Sequence, residues 1–202
     1  SSAGEDSYEI YKMKLDFGAR MHIPITKHEL FSTPVYEDEV FISPSSAEIM
    51  KDEVLDYAYK ETGISDLSIN YYTSSNTLSR FKISENFERL HDEIEKTVSN
   101  TFEVDNYIIK HSWVNVVAKE IPQSLHRHGP QDKISAILYF DNIGETLFAD
   151  PRVQVYGSPR WKSKAMPGKL LFFPSYLYHE VHKHDDERRR VVFACDLIKD
   201  ER

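Results

Sequence analysis

From about residue 105 to the C-terminus, short apolar segments follow one another with little helical spacing: YIIKHSWVNVVA, KISAILYF, TLFAD, VQVYG, KLLFFP, HEVHK and RRVVFACDLI. Each is rich in β-branched and aromatic side chains, and Gly, Pro and Asp punctuate the gaps, as in strands joined by turns. So many short strands in under a hundred residues read as a large antiparallel sheet structure, in which each residue's parity decides which face its side chain joins.

The upstream half has a different period. Residues 20–42 are β-branched and aromatic and are interrupted by Pro24 and Pro34, which predicts short extended segments, edge strands included. A helix then runs from a cap at Ser45 or Ser46 to about Glu61, with Glu48 in its first turn, Met50, Val54, Leu55 and Ala58 as its apolar stripe, and Gly63 as its stop. A second helix is capped by Ser84 and repeats Phe87, Leu90, Ile94 and Val98 at helical spacing, giving a face suited to packing on a sheet. Two helices and an extensive antiparallel sheet make an α+β fold, with the helices covering one outer face of a barrel or sandwich. At 202 residues and 40% apolar content the chain reads as one domain. Within it, 1–20 is a polar, flexible leader, 21–104 a supporting region of strands and helices, and 105–202 the β core.

A formal net charge of −8 argues against a surface built to grip nucleic acid, whose non-specific affinity comes from Lys and Arg neutralising phosphates. The single cysteine, Cys195, permits no intramolecular disulfide and reads as a small packed side chain in a protein of the reducing cytosol. There is no run of about 18 apolar residues, and the N-terminus lacks a signal-peptide pattern, so the expected location is cytoplasmic, away from any membrane.

The chemistry-bearing feature is LHRHGP, with His126 and His128 two residues apart. On an extended strand that spacing puts both imidazoles on one face. Downstream, FFPSYLYHEVHKH supplies His179, which closure of a barrel brings to the first pair. Three neutral imidazoles suit iron, zinc, copper or nickel and leave coordination positions open. An HxH pair by itself is more often solvated or hydrogen-bonded than metal-binding. His182 and His184, in the charged turn HKHDDERRR, read as exposed; His111 is intermediate; His22, His28 and His91 read as structural or surface residues. Gly144 and Gly168 read as turn residues, and no phosphate-binding glycine motif or GxSxG elbow occurs. The 151–167 segment carries Arg160, Trp161, Lys162 and Lys164 and reads first as a solvated loop, with the setting of specificity as its functional alternative.

The ordered set WVNV, HRHGP, KISAILYF, GETLFADPR, PGKLLFFPSYLYHEV and RRRVVFACDL, preceded by LFSTPVY, resembles the 2-oxoglutarate and Fe(II) dependent oxygenases, in particular a group common in phage and bacterial genomes that carries HxH followed by proline. The resemblance implies a double-stranded β-helix, or jelly roll, holding Fe(II) and taking 2-oxoglutarate and O2 as cosubstrates. It implies a hydroxylase acting on a protein side chain or a small molecule. By carry-over, His126 and His179 are iron ligands, and His128 stands where the wider superfamily has a carboxylate. His128 is the favoured third ligand; the alternatives set it back from the metal, with Asp150 in FADPR supplying the carboxylate or with no third protein ligand. The far carboxylate of 2-oxoglutarate calls for a guanidinium. Arg190 shares strand parity with Val192, Ala194 and Asp196 and matches the group's closing pattern, with Arg188, of the same parity, in reserve. Tyr139 matches a tyrosine that binds the same carboxylate, and Asn115, alternating with Trp113, is a candidate cosubstrate contact. The competing readings are a three-histidine cupin that uses no 2-oxoglutarate and a non-catalytic metal-binding or structural module.

Overall fold

A computed structural model describes residues 25–30, 33–74, 79–103, 106–129, 133–152 and 160–201. The expected VQVYG strand, the leader 1–20, His22, Pro24 and Pro130 lie outside the described residues.

In chain order the elements are β1 (Thr26–Leu30), β2 (Thr33–Asp38), α1 (Pro44–Thr62), a 3-10 turn (Asp66–Ser68), β3 (Tyr71–Thr73) and α2 (Glu85–Phe102). Then follow β4 (Tyr107–Val117), β5 (Gln123–His126), β6 (Lys133–Tyr139), β7 (Glu145–Ala149), β8 (Arg160–Lys164), β9 (Leu170–Pro174), β10 (His179–Val181) and β11 (Arg190–Lys199). They form a seven-stranded sheet in the order β1-β2-β9-β6-β11-β4-β3 and a four-stranded sheet in the order β5-β10-β7-β8. From β4 onward the chain passes back and forth between the two sheets, and every pairing is antiparallel. This is the double-stranded β-helix; β1, β2 and β3 extend the edges of its larger sheet.

Strand parity sorts the core into two layers. Val114 and Val116 of β4, Ala136 and Leu138 of β6, Leu170 and Phe172 of β9, and Val191, Phe193 and Cys195 of β11 join one cluster with Met50, Val54 and Ala58 of α1 and Phe87, Leu90, Ile94 and Val98 of α2. The alternate residues Tyr139, Leu171, Phe173 and Val192 pack with Phe148 and Leu177 between the sheets. The apolar stripes of both helices thus lie against the larger sheet, leaving its other face for the interior of the β-helix.

Three local expectations change. Ser43, not Ser45 or Ser46, caps α1: its side chain accepts the Ser46 N–H at 3.1 Å, and Pro44 takes the first helical position, where its fixed φ and missing N–H cost nothing. Residues 160–164 form an edge strand rather than a loop, because Phe148, Leu147 and Thr146 of β7 offer register partners to Trp161, Lys162 and Ser163. Lys164, Lys162 and Arg160 leave that edge charged, and charge discourages further pairing. His184 is buried, 8% exposed, with Nε2 3.2 Å from the Val117 carbonyl, whereas its neighbour His182 is exposed as expected. At Gly168, φ is +87° and an added Cβ would stand 2.0 Å from the Ile42 carbonyl oxygen, so only glycine fits the turn into β9.

Candidate metal centre

His126 ends β5 and His179 begins β10, and the two are register partners across the four-stranded sheet. Directly opposed residues place their side chains side by side on one face, and the ring centroids are 4.4 Å apart. His128 arrives differently. The strand stops at His126, and Gly129, with φ +134°, helps the chain turn away. The His128 N–H donates to the Ser175 carbonyl at 2.9 Å, and its Nδ1 lies 3.0 Å from Asp196 Oδ1 on β11. It is therefore a crossing between sheets, rather than strand alternation, that brings His128 to the pair. The potential ligand atoms of all three histidines lie within 4.8 Å of one another, the one such group among the described residues.

Each ring is held by Nδ1. His126 Nδ1 is 2.6 Å from the Ser124 carbonyl and His179 Nδ1 is 3.0 Å from the Leu177 carbonyl. A neutral imidazole that donates from Nδ1 keeps its Nε2 lone pair for a metal. Burial lowers the His179 pKa to about 3, helped by the neighbouring His126 and His128. Burial also lowers that of His126, against the Ser124 carbonyl, although one edge of this ring faces solvent. Both stand unprotonated at neutral pH, as ligands must. Phe148 and Phe173 pack against His179, and Trp113 stands 5.4 Å from His128, so apolar rings wall the cluster.

Asp150 is not brought to the histidines: it caps its own turn, bound by Arg152 through Nε at 3.0 Å and Nη2 at 2.8 Å. Arg188 is also elsewhere, exposed and paired with Asp186 at 2.6 Å. Arg189 donates to the backbone carbonyls of Ile69 and Leu67.

Arg190 lies inside. It is 1% exposed, its Nη1 donates to Gln123 Oε1 at 3.1 Å, and its Nε is buried with no partner. Burial lowers its pKa, opposed by Tyr139 and Asp141. No carboxylate forms an ion pair with it among the described residues, whereas Lys169, the other buried cation, is paired with Glu37 at 2.6 Å. A buried charge without a direct ion pair is costly, and this guanidinium keeps a donor, Nε, with no partner. The fully buried Tyr139 hydroxyl is 2.6 Å from Thr146 Oγ1, and burial raises its pKa while Arg190 opposes the rise. Ser163, hydrogen-bonded to Glu37 at 2.5 Å, also reaches Tyr139.

Gln123 and Thr146 are both register partners of Val181, two residues along β10 from His179. At about 3.3 Å rise per residue, the buried cation and hydroxyls sit about 7 Å along the sheet from the histidines, a span that a five-carbon dicarboxylate bridges. Asn115 lies on the same interior face, opposite Val192, with its Oδ1 buried and unpartnered. His111 is the register partner of Asp196 and also leaves a buried, unpartnered Nδ1.

Sequence reasoning did not single out Gln123, Thr146 or Ser135, or the roles of Ser175 and Asp196. Thr146 and Ser135 carried a usable signal, as polar residues at buried positions in apolar strands. For Gln123 the partner is 67 residues away, and no local pattern marks it.

Residues 111–196 match the model of a family described as "Putative 2OG-Fe(II) oxygenase". No curated protein matches the chain. Among solved structures, HygX from Streptomyces hygroscopicus, with nickel and 2-oxoglutarate bound, is similar at TM-score 0.64 and 12% identity, over 82% of this chain and 83% of that one. A Pseudomonas putida prolyl-4-hydroxylase is similar at TM-score 0.58 and 11% identity, over 86% and 96%. An oxidoreductase of the 2OG-Fe(II) oxygenase family from Burkholderia pseudomallei is similar at TM-score 0.51 and 14% identity, over 63% of this chain and 66% of that one. At these identities the neighbours speak for the fold, and the family match speaks for the sequence. The region from within β4 to within β11, carrying the histidine cluster and the buried arginine, thus matches a 2-oxoglutarate and Fe(II) oxygenase family in sequence, and the chain shares the double-stranded β-helix fold of these neighbours.

Proposed function

We propose that this protein is a 2-oxoglutarate- and Fe(II)-dependent oxygenase in which His126, His128 and His179 hold the iron and Arg190 receives the far carboxylate of 2-oxoglutarate. The observation that carries this reading is the buried Arg190 guanidinium, without an ion-pair partner among the described residues and bonded to Gln123, whose register partner Val181 lies two residues along β10 from His179 of the histidine cluster. A metal-binding cupin without a dicarboxylate cosubstrate has no use for that cation.

The donor set fits the group. Three nitrogen ligands suit Fe(II) and leave positions for a chelating cosubstrate and oxygen. Bound there, the group supplies oxidative decarboxylation of 2-oxoglutarate to succinate and carbon dioxide, coupled to placing one oxygen atom of O2 on a substrate C–H bond. The chain's own part is positioning and exclusion of water. The Nδ1 tethers fix the three rings, Arg190 and the Tyr139 and Thr146 hydroxyls orient the far carboxylate, and the Asn115 amide offers its unpaired oxygen to a donor on a bound molecule. Phe148, Phe173 and Trp113 keep the cluster in an apolar wall.

The substrate class is open between protein side chains and small molecules: one neighbour is a prolyl-4-hydroxylase, and HygX is also known with hygromycin B bound. The charge of −8 disfavours nucleic acid as substrate. No helix among the described residues is long and apolar enough to cross a membrane; the cytoplasmic assignment rests on the lone, buried Cys195.

The test is anaerobic addition of 2-oxoglutarate to the Fe(II)-loaded protein. A weak visible charge-transfer band is expected, followed on exposure to O2 by succinate formation. Iron binding without that band would sink the cosubstrate assignment and favour a three-histidine cupin. Failure to bind iron would favour a non-catalytic module.

A further inference from the structure

The three histidines are tethered alike at Nδ1 but not by like partners. His126 and His179 each meet a neutral carbonyl two residues upstream, of Ser124 and Leu177. His128 meets a carboxylate, Asp196 Oδ1, at 3.0 Å. That is the histidine at the position where the resembled superfamily has a carboxylate ligand.

Asp196 is itself held in place. Ser135 Oγ donates to the same Oδ1 at 2.7 Å, Ser135 and Ser175 hydroxyls meet at 2.8 Å, and the Ser175 carbonyl takes the His128 N–H at 2.9 Å. The result is a closed ring from the His128 side chain through β11, β6 and the turn after β9 back to the His128 main chain. The Asp196 side chain is only 14% exposed, and its one ion-pair partner among the described residues is His128. A carboxylate so sheltered needs a positive charge nearby, and a metal ion on the far side of the His128 ring provides it.

We propose that Asp196 is a positioning residue that supplies, one shell out from the metal and through His128, the negative charge that a carboxylate ligand would bring directly. The proposal rests on the reading of the three histidines as iron ligands. A carboxylate accepting the Nδ1–H fixes the tautomer that presents Nε2 to the metal and makes that nitrogen a stronger donor. A three-histidine centre would otherwise face the divalent ion with neutral ligands alone. Asp196 offsets part of that charge while leaving the coordination position to an imidazole.

The experiment compares wild type with Asp196→Asn, which keeps the size and an acceptor oxygen and removes the charge. The readouts are anaerobic Co(II) and Fe(II) titrations and the charge-transfer band of the Fe(II)–2-oxoglutarate complex. The variant is expected to bind either metal about 10–100-fold more weakly, with its band at shorter wavelength because the iron is less electron-rich. A second variant, His128→Asp with Asp196→Asn, moves the charge back to the metal and is expected to recover the lost affinity. Wild-type affinity and an unshifted band in Asp196→Asn would overturn the proposal. If the single variant fails to fold, Ser135→Ala, which frees Asp196 without removing its charge, is expected to weaken metal binding several-fold, and unchanged binding there would equally overturn it. Failure of the wild type to bind metal overturns the ligand reading and this proposal with it, whereas a wild type that binds beside an indifferent Asp196→Asn overturns only the proposal.

Discussion

On the helix-covered face of the larger sheet, His91 of α2 has a partner at each ring nitrogen: the Phe87 carbonyl 2.5 Å from Nδ1 and the Ser112 hydroxyl 2.7 Å from Nε2. On the opposite side, His126, His128 and His179 each have one such partner, always at Nδ1. Burial lowers the pKa of His91 to about 4, as it lowers that of His179 to about 3. A depressed pKa therefore does not separate the two regions. The free nitrogen does: a histidine satisfied twice closes a core, and three satisfied once, facing one another, define a place for a cation. The arginines repeat the contrast, since Arg188 is neutralised by Asp186 at the surface while the buried Arg190 has no ion-pair partner among the described residues.

The contrast breaks most easily at the three clustered histidines. The double variant His126→Ala, His179→Ala is expected to lose metal binding to the limit of detection in an anaerobic Fe(II) or Co(II) titration, while far-UV circular dichroism stays unchanged. Next in size, Arg190→Met is expected to weaken 2-oxoglutarate by about 100-fold, the loss of a charge-assisted bond to a carboxylate. Its apoprotein is expected to be no less stable than wild type, because an unpaired buried charge has been removed; denaturant unfolding and 2-oxoglutarate titration together check both halves. His91→Ala is expected to do the reverse, costing about 2 kcal/mol in the same unfolding experiment through a cavity and the lost bond between Nε2 and the Ser112 hydroxyl, with metal affinity unchanged.

The most gradual effect is one of pH. His91 in the fold takes a proton only near pH 4, whereas in the unfolded chain it does so near its ordinary value of 6.5. The unfolded state thus binds the proton first. The stability His91 contributes is complete above pH 6.5 and is lost as pH falls toward 4, at up to about 1.4 kcal/mol per pH unit. Unfolding curves across that range should show the slope, and His91→Gln should reduce it. A slope unaffected by the substitution would mean that other groups carry the acid sensitivity.

Much of this was legible in the chain. The alternation in RRRVVFACDL assigned Arg190, Val192, Ala194 and Asp196 to one face, and the paired strands keep them there, because a one-residue slip would turn Val191 and Phe193 out of the helix-facing core. The helical period named Phe87, Leu90, Ile94 and Val98, all fully buried. The errors fell where a long-range partner outweighed local composition. The charged run around His184 pointed to solvent, yet the ring folds back on Val117, and the basic RWKSK pairs with β7.

The sequence by itself determined the strand-rich architecture, the two helix faces and the identity of the polar residues with chemistry to offer, since these follow from periodicity and residue type. Only the tertiary structure decided which of those residues meet. His128 reaches the cluster by crossing to Ser175 and Asp196, Asp150 is drawn into its own turn by Arg152, and Arg190 is buried beside Gln123 and near Tyr139. The side-chain partners of His128 and Arg190 lie 68 and 67 residues away along the chain, and a hydrogen bond over that separation depends on how two sheets close on each other, which no local pattern records.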